Sequence, residues 1–276
     1  MKVARDLTSL RAELAGLGPL ALVPTMGALH DGHLSLLAAA RREAPVVAAS
    51  IFVNPLQFGP NEDLSRYPRQ EAVDLEMLAA AGCDIAWLPG LEVMYPPGAA
   101  TTVEVGGAAE GWEGTIRPGH FRGVATVCTK LFHQTGAACA VFGEKDWQQL
   151  QVIRQVVRDL DMPVRIIGCP TVREGDGLAM SSRNRFLGAA ERARAAALPD
   201  AMRTAIAAMA GGVEAAAALD TARASIVAAG LVPDYLALVE PETLRQNPAL
   251  PGRLIAAARL GGVRLLDNMA VPARTR

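Results

Sequence analysis

No apolar run in this 276-residue chain approaches the roughly 18–20 residues that a membrane-spanning helix needs. Its positive mean hydropathy of +0.21 therefore reflects abundant alanine and not a lipid-facing segment. Charge of one sign is lacking too, since 27 Lys and Arg stand against 28 Asp and Glu, a net charge of −1. A general nucleic-acid coat needs a basic excess, so neither nucleic acid nor membrane is expected as a partner, and small anions held by a local cluster of cations remain. The opening MKVARDLTSLRAEL alternates charged and apolar residues at helical spacing and lacks a signal peptide's apolar block, so the expected location is the cytoplasm. Cysteine is sparse: Cys83, Cys128, Cys139 and Cys169 form no C-x-x-C pair. They read as buried free thiols of a reducing compartment, not as disulfides or a zinc site. What the chain does have is 51% hydrophobic and 20% charged residues, a globular composition with length for one large domain or two modest ones.

The first two-thirds alternate apolar strand-like runs with helical ones. PLALVP (19–24), PVVAASIFVNP (45–55), CDIAWLP (83–89), ACAVFG (138–143) and PVRIIGCP (163–170) are the predicted strands. Between them HLSLLAAARREA (33–44), EDLSRYPRQEAVDLEMLAAAG (62–82), HFRGVATVCTKLFHQTG (120–136) and DWQQLQVIRQVVRDLD (146–161) have helical spacing. Near-continuous apolar strands alternating with helices predict a doubly wound α/β domain around a parallel sheet, its ligand at the carboxyl ends of the strands. A short strand is expected at TTVEV (101–105) within an otherwise Gly/Pro-rich loop. After about residue 172 the pattern changes to two alanine-rich helices (191–212 and 213–230), each closed by glycine, and three apolar runs (233–241, 252–260, 263–271). Gly261-Gly262 between the last two predicts a hairpin. The expected division is thus a Rossmann-like domain over 1–172 and a smaller α+β domain with antiparallel strands over 173–276.

Chemistry concentrates at four places. PTMGALHDGHLSLL (24–37) runs from a strand end through a glycine-bearing turn into a helix, with His30 and His33 three apart. A helix N-terminus suits a phosphate, and histidine adds a donor to it. The same pair could equally be a helix cap. No G-x-G-x-x-G is present, so a dinucleotide site is not indicated. FGEKDWQQL (142–150) puts Lys145 at the carboxyl end of a strand, where it can hold phosphate oxygens, unless it is only a solvated turn. GDGLAMSSRNRFL (175–187) gathers hydroxyls, amides and guanidinium groups able to clamp a triphosphate, or else links two domains. IFVNPLQF (51–58) sets Asn54 and Gln57 just past a strand, and Gln149 follows the third strand-helix junction. Neutral amides can read hydroxyls and carboxylates without adding charge.

Taken together these strings carry a resemblance. His30-Asp31-Gly32-His33 resembles the His-x-Gly-His signature of the adenylyl-transferring Rossmann-like nucleotidyltransferases, the superfamily of class I aminoacyl-tRNA synthetases. MSSR (180–183) is similar to that superfamily's second phosphate-binding motif. PTMGALHDGH, FVNPLQF, RPGHFRGVATV, FGEKDWQQL and DGLAMSSRN, in that order from about residue 20 to 190, resemble the pantoate–β-alanine ligase family, and RLLDN (264–268) extends the likeness. The resemblance implies ATP-dependent condensation of pantoate with β-alanine to pantothenate, a precursor of coenzyme A. A pantoyl adenylate would be the intermediate, with pyrophosphate and AMP released. It also implies Mg²⁺ accompanying ATP as substrate, no organic prosthetic group, and a homodimer.

Residue by residue, the resemblance implies an ATP-binding turn of Met26, Gly27, Ala28, Leu29, His30, Asp31, Gly32 and His33. His33 stands at the position of the proton donor, and His30 and Lys145 join it as catalytic candidates. Gly143, Glu144, Lys145 and Asp146 match a second ATP segment and Val172 a nucleotide contact, while Met180, Ser181, Ser182 and Arg183 match the triphosphate clamp, expected to close over ATP. Gln57 matches the glutamine at pantoate and β-alanine, with Asn54 beside it, and Gln149 the second pantoate glutamine. Trp147 stands where Phe or Tyr is usual and keeps an aromatic ring. A sister adenylyl transferase that leaves AMP on its product, and a nucleotide-binding module without activity, are the alternatives. The family strings oppose the first, and the full set of polar motif residues opposes the second.

Overall fold

The computed structural model describes residues 1–60, 62–247 and 249–273. The chain runs β1 (Lys2–Ala4), α1 (Leu7–Leu14), β2 (Leu20–Thr25), α2 (Asp31–Glu43), β3 (Val46–Ile51), α3 (Glu71–Ala80), β4 (Ile85–Trp87), α4 (Leu91–Met94), α5 (Trp112–Ile116), α6 (His120–Thr135), β5 (Cys139–Gly143), α7 (Trp147–Asp159) and β6 (Arg165–Cys169). It continues as α8 (Ala189–Ala195), α9 (Ala197–Ala210), α10 (Ala215–Ala228), β7 (Val232–Val239), β8 (Gly252–Leu260) and β9 (Val263–Val271). Two compact units result. One comprises Met1–Glu144 and Gln148–Pro170, the other Lys145–Trp147 and Thr171–Arg276.

The first unit is built on a six-stranded sheet in the order β1-β4-β3-β2-β5-β6, every pair parallel. This is the α/β architecture expected from the apolar runs. The strand order reverses between β2 and β5, which pair through Ala21↔Cys139 and Leu22↔Ala140. A crevice opens at such a reversal because the chain leaves the two neighbouring strands in opposite directions. The two most motif-rich segments, following β2 and β5, therefore leave adjacent strands. Consecutive strand residues, Ala21 and Leu22, Val47 and Ala48, Ala140 and Val141, are 1% exposed or less, as strands covered on both faces require.

Four local expectations are corrected. The chain start is not only helical, because Lys2–Ala4 pairs with Ile85–Trp87 as an edge strand ahead of α1. Residues 101–105 form no strand, and Val103 N–H donates to Thr126 Oγ1 at 2.9 Å instead of to a neighbouring strand. The helix expected over 62–82 is confined to Glu71–Ala80, since Pro68 holds the residue before it out of the helical region. The helix expected over 191–212 is split into α8 and α9 at Ala196. Pro199 falls in the first turn of α9, where its missing N–H leaves no bond unmade.

The second unit packs α9 and α10 with a three-stranded antiparallel sheet, β7-β8-β9. Its core is aliphatic, with Leu198, Met202, Ile226, Leu238, Leu254 and Leu260 all 2% exposed or less. The expected hairpin is present: Leu260 pairs with Val263, and Gly261 takes φ 56°. All four cysteines are free and buried. Burial pushes the Cys83 thiol up to about 11 and the Cys128 thiol up to about 12, so neither is a nucleophile at neutral pH. Among the described residues no helix is long and apolar enough to cross a membrane.

Candidate active site

In the first unit, β2 ends at Thr25, whose hydroxyl donates to Ser50 O (2.7 Å) on β3 and accepts Gly27 N–H (3.1 Å). The chain then reverses through two left-handed residues, Gly27 (φ 77°) and Ala28 (φ 53°). Ala28 N–H and Leu29 N–H both donate to the Asp74 carboxylate, each at 2.8 Å. Asp74 is 1% exposed and also accepts Gln70 Nε2 at 3.2 Å. A Cβ on residue 27 would lie 2.8 Å from Asp74 Oδ2 and 3.0 Å from Ile51 Cγ2, so the carboxylate's approach as well as the positive φ requires glycine there. Ala28 and Leu29 are buried and turn their amides inward to Asp74.

The turn delivers the chain to α2 with His30 as its N-cap. Gly32 N–H donates to His30 Nδ1 (3.2 Å), His30 N–H donates to His33 Nδ1 (3.3 Å), and the ring centroids are 4.2 Å apart. A backbone N–H can only meet an unprotonated ring nitrogen, so each neutral imidazole carries its proton on Nε2. The cap uses Nδ1 of each ring, so any donor role of the pair falls to a different atom, Nε2–H. Asp31 is exposed, while Met26, Gly32 and His33 are half-buried.

After β3, Asn54 caps the short turn Pro55–Gln57. Its amide orientation is set by two backbone groups, since Leu56 N–H donates to Oδ1 (3.3 Å) and Nδ2 donates to Gly123 O (3.1 Å). Tyr95 hydroxyl adds a bond to Oδ1 at 2.8 Å. Asn54 Nδ2 also donates to Gln57 Oε1 at 3.0 Å, so the carbonyl end of Gln57 is consumed and its Nε2 is the end turned toward Met26, 3.3 Å from Sδ. Gln57 can therefore present N–H donors, suited to a hydroxyl or carboxylate oxygen. Met26, Phe52, Val53, Pro55 and Asp74 line part of an adjoining cavity of about 420 Å³. Gln149 on α7 is half-buried. Its neighbour Gln148 is buried and structural: Nε2 donates to Ala108 O at 3.0 Å, and Oε1 accepts Glu113 N–H at 3.0 Å. Gly143 and Glu144, both half-buried, end β5 and begin the next turn.

In the second unit, Lys145 Nζ lies 3.3 Å from Asp146 Oδ1, and Lys145 O accepts Asn268 Nδ2 at 2.8 Å. Asn268 Oδ1 in turn accepts Arg253 Nε at 2.6 Å, and the Arg253 guanidinium stacks 3.3 Å from the centre of the Trp147 ring. Trp147 Nε1 donates to Pro241 O at 2.7 Å. Val172 and Met180 close a small hairpin through Met180 N–H to Val172 O (2.9 Å). Arg173, inside it, forms a two-bond pair with buried Asp267 at 2.7 and 2.8 Å. Ser181 caps the Ser182–Phe186 turn by accepting Arg183 N–H (3.3 Å). Asn184 ties that turn back to Glu174 and Ala179 O, and Arg192 bridges Glu174 and Asp176. The bonds from Arg192 hold both carboxyls below the usual range. The segment from Met180 to Arg183 therefore stands on a cross-linked base.

Asp74, Arg253, Asp267 and Asn268 carry no local sequence signal of their own. Only the likeness of RLLDN to the family pointed toward the last two.

A model of the family described as pantoate-beta-alanine ligase matches residues 2–270. The pantothenate synthetase of Acidiphilium cryptum (strain JF-5) is 56% identical over 278 residues, covering 98% of this chain and 100% of that one. The crystal structure of pantothenate synthetase from Thermus thermophilus matches with a TM-score of 0.95 at 47% identity, covering 99% of this chain and 100% of that one. Pantoate-beta-alanine ligase from Francisella tularensis, complexed with β-γ ATP and β-alanine, matches with a TM-score of 0.85 at 34% identity, covering 98% and 97%. Family model and relatives span nearly the whole chain and take in every motif described above, so the protein belongs to the pantoate–β-alanine ligase family of enzymes.

Proposed function

We propose that the enzyme condenses pantoate with β-alanine to pantothenate at the expense of ATP, in two steps. A carboxylate oxygen of pantoate attacks the α-phosphorus of ATP, and the bond to pyrophosphate breaks, leaving pantoyl adenylate. The amine of β-alanine then attacks the acyl carbon, loses a proton, and expels AMP. The observation that carries this reading is the pair of imidazoles fixed through Nδ1 at the start of α2, just after the strand that borders the sheet's reversal point. Imidazole donors meet charge that grows on the α-phosphoryl group as it is attacked.

His30, His33 and Lys145 are assigned to stabilising that charge, with His33 as proton donor. Met26, Gly27, Asp31 and Gly32 are assigned to shaping the ATP turn together with Ala28 and Leu29, whose amides serve the turn itself. Gly143, Glu144, Asp146 and Val172 are assigned to the nucleotide, and Met180, Ser181, Ser182 and Arg183 to its triphosphate. Gln57 and Gln149, with Asn54 behind Gln57, are assigned to pantoate. Neutral amides orient a carboxylate without the tight ion pair that would blunt its nucleophilicity. Gln149→Lys is accordingly expected to slow single-turnover adenylation, and an unchanged rate would remove that explanation. Mg²⁺ is read as part of the ATP substrate. Among the described residues no group of three or more His, Cys, Asp or Glu is placed to hold a metal ion, and no step is assigned to one. The reading extends to a homodimer working in the cytoplasm, whose size sedimentation would report.

The test is release of pyrophosphate and AMP from ATP, Mg²⁺ and pantoate, with and without β-alanine. Pyrophosphate limited to about one equivalent per site without β-alanine, followed by AMP turnover with it, is the expected result. Continuous pyrophosphate release indifferent to β-alanine would replace the reading with a sister adenylyl transferase.

A further inference from the structure

The segment RPGHFRGV (117–124) has a job that none of the assignments above covers. Arg117 ends α5, Gly119 turns the chain in the left-handed region (φ 82°), and His120 opens α6. Both side chains converge on one atom, the backbone carbonyl oxygen of Gln57. His120 Nδ1 lies 2.8 Å from it and Arg117 Nη2 3.3 Å. The contacts order themselves. A carbonyl only accepts, so His120 carries its proton on Nδ1. Nε2 is then an acceptor, and Arg117 Nη1 stands 3.0 Å away to donate to it. Glu62 holds the guanidinium at 2.9 and 2.6 Å. The result is a directed chain from carboxylate through guanidinium and imidazole to the carbonyl, each link polarising the next.

Two further observations show that the turn is held at one position and not merely touched. Gly123, one turn along α6, lies so close that a Cβ there would stand 2.3 Å from Leu56 O and 2.6 Å from Gln57 N. Gly123 O is also the acceptor that orients Asn54, the residue that orients the Gln57 side chain. The start of α6 therefore fixes both ends of Gln57, the backbone through His120 and Arg117, and the amide through Asn54. His120 is 7% exposed, and burial, with the Arg117 charge second, lowers its pKa to about 4. The ring is neutral at working pH and keeps the single tautomer the chain requires.

We propose that Arg117 and His120, braced by Glu62, are positioning residues for the substrate-facing amide of Gln57, setting where its Nε2–H donors meet pantoate. This rests on the reading that Gln57 holds pantoate. A shift of a few tenths of an ångström in the Gln57 backbone moves the donor at the end of its side chain, which touches the turn after β2 only at Met26, while the amides of that turn are held separately by Asp74. The signature is selective: binding of pantoate weakens and binding of ATP does not.

The experiment is steady-state kinetics on the full-length enzyme, varying pantoate and ATP separately, with unfolding midpoints for every variant. His120→Leu is expected to raise the pantoate KM about tenfold or more, with the ATP KM within about twofold. His120→Asn places an amide N–H where Nδ1–H stood and is expected to recover most of that loss, whereas His120→Gln, which reaches past the position, is not. Glu62→Gln, at a more exposed and tolerant site, is expected to shift the pantoate KM in the same direction by about two- to fivefold. A purely architectural role would lower the unfolding midpoint and the active fraction and leave both KM values in place. That result, or equal rises in both KM values, overturns the proposal. Gln57→Ala separates the two levels. If it raises the pantoate KM while the His120 and Glu62 variants do not, positioning by the RPGH segment fails and the pantoate reading stands. If Gln57→Ala leaves the pantoate KM unchanged, both fall.

Discussion

Two turns leave adjacent strands of the first unit and are held from behind by groups of opposite polarity. The turn after β2 shows its amides backward, and a buried carboxylate, Asp74, receives two of them. The turn after β3 shows a carbonyl backward, and an imidazole backed by a guanidinium donates to it. A backbone offers only donors or acceptors, so whatever fixes a turn must carry the complement. In both cases a charged group stands behind the turn, Asp74 in one and Arg117 with Glu62 in the other. Under the proposed reaction, which brings a carboxylate nucleophile to a polyanion, this arrangement supplies rigidity from the rear without an ion pair that would trap the nucleophile.

The contrast is broken most severely at Asp74. Asp74→Ala leaves two buried amides without an acceptor and is expected to cost about 3–5 kcal/mol of stability in urea unfolding. An unchanged midpoint would mean that the turn holds its own shape. The front of the same turn is probed by His33→Ala, expected to reduce turnover about 10²–10³-fold, or about 3–4 kcal/mol, with a smaller change in ATP affinity. A defect mainly in ATP affinity would make His33 a binding group only.

The second turn has an imidazole behind it, and its hold is expected to depend on pH. His120 is held near 4 in the folded protein against about 6.5 when unfolded, so the unfolded chain binds the extra proton first. Its contribution is complete above pH 6.5 and is lost as pH falls from there to about 4, a loss of about 3 kcal/mol at most. Arg117, Glu113 and Glu62 surround the ring, and Glu62 also titrates in acid. The clean measurement is therefore the pH dependence of stability for wild type minus His120→Asn. A flat difference across that window would show that the ring is already protonated in the fold. The smallest effect belongs to the second unit: Trp147→Phe keeps the ring under Arg253 but removes the bond to Pro241 O, and should cost about 1 kcal/mol. A much larger loss would show that the indole nitrogen does more than close one bond.

The sheet of the first unit was legible because its central strands are unbroken apolar runs bounded by Pro, Asn or Gly. Lys2–Ala4 was not, since a three-residue edge strand leaves too short a pattern and is fixed only by pairing with β4. The helix over 62–82 was drawn too long because charged and apolar residues continue at helical spacing across Pro68. Among the candidate residues, His30, His33, Asn54, Gln57 and Lys145 stood out as polar residues beside strand ends. Asp74 did not, because in EAVDLEML an acidic residue on a helix looks like its solvated face, and only the fold turns it toward Ala28 and Leu29. His120 was visible as a helix start, but not the direction of its ring or the carbonyl it serves. The orientation of the Gln57 amide could not be read at all, since it depends on Gly123 O, 69 residues from the Asn54 amide it orients.

Asn268 on β9 grips the carbonyl of Lys145, 123 residues upstream. Synthesis proceeds from the N-terminus at about 5–20 residues per second, and domains fold as they emerge. A nascent chain ending before β9 can already have assembled the parallel sheet and both histidines, yet its Lys145 backbone still lacks this anchor. A truncated product released by premature termination would then be a folded body with an untethered lysine, and the histidine turn and the Lys145 backbone would reach their final form many seconds apart on the ribosome.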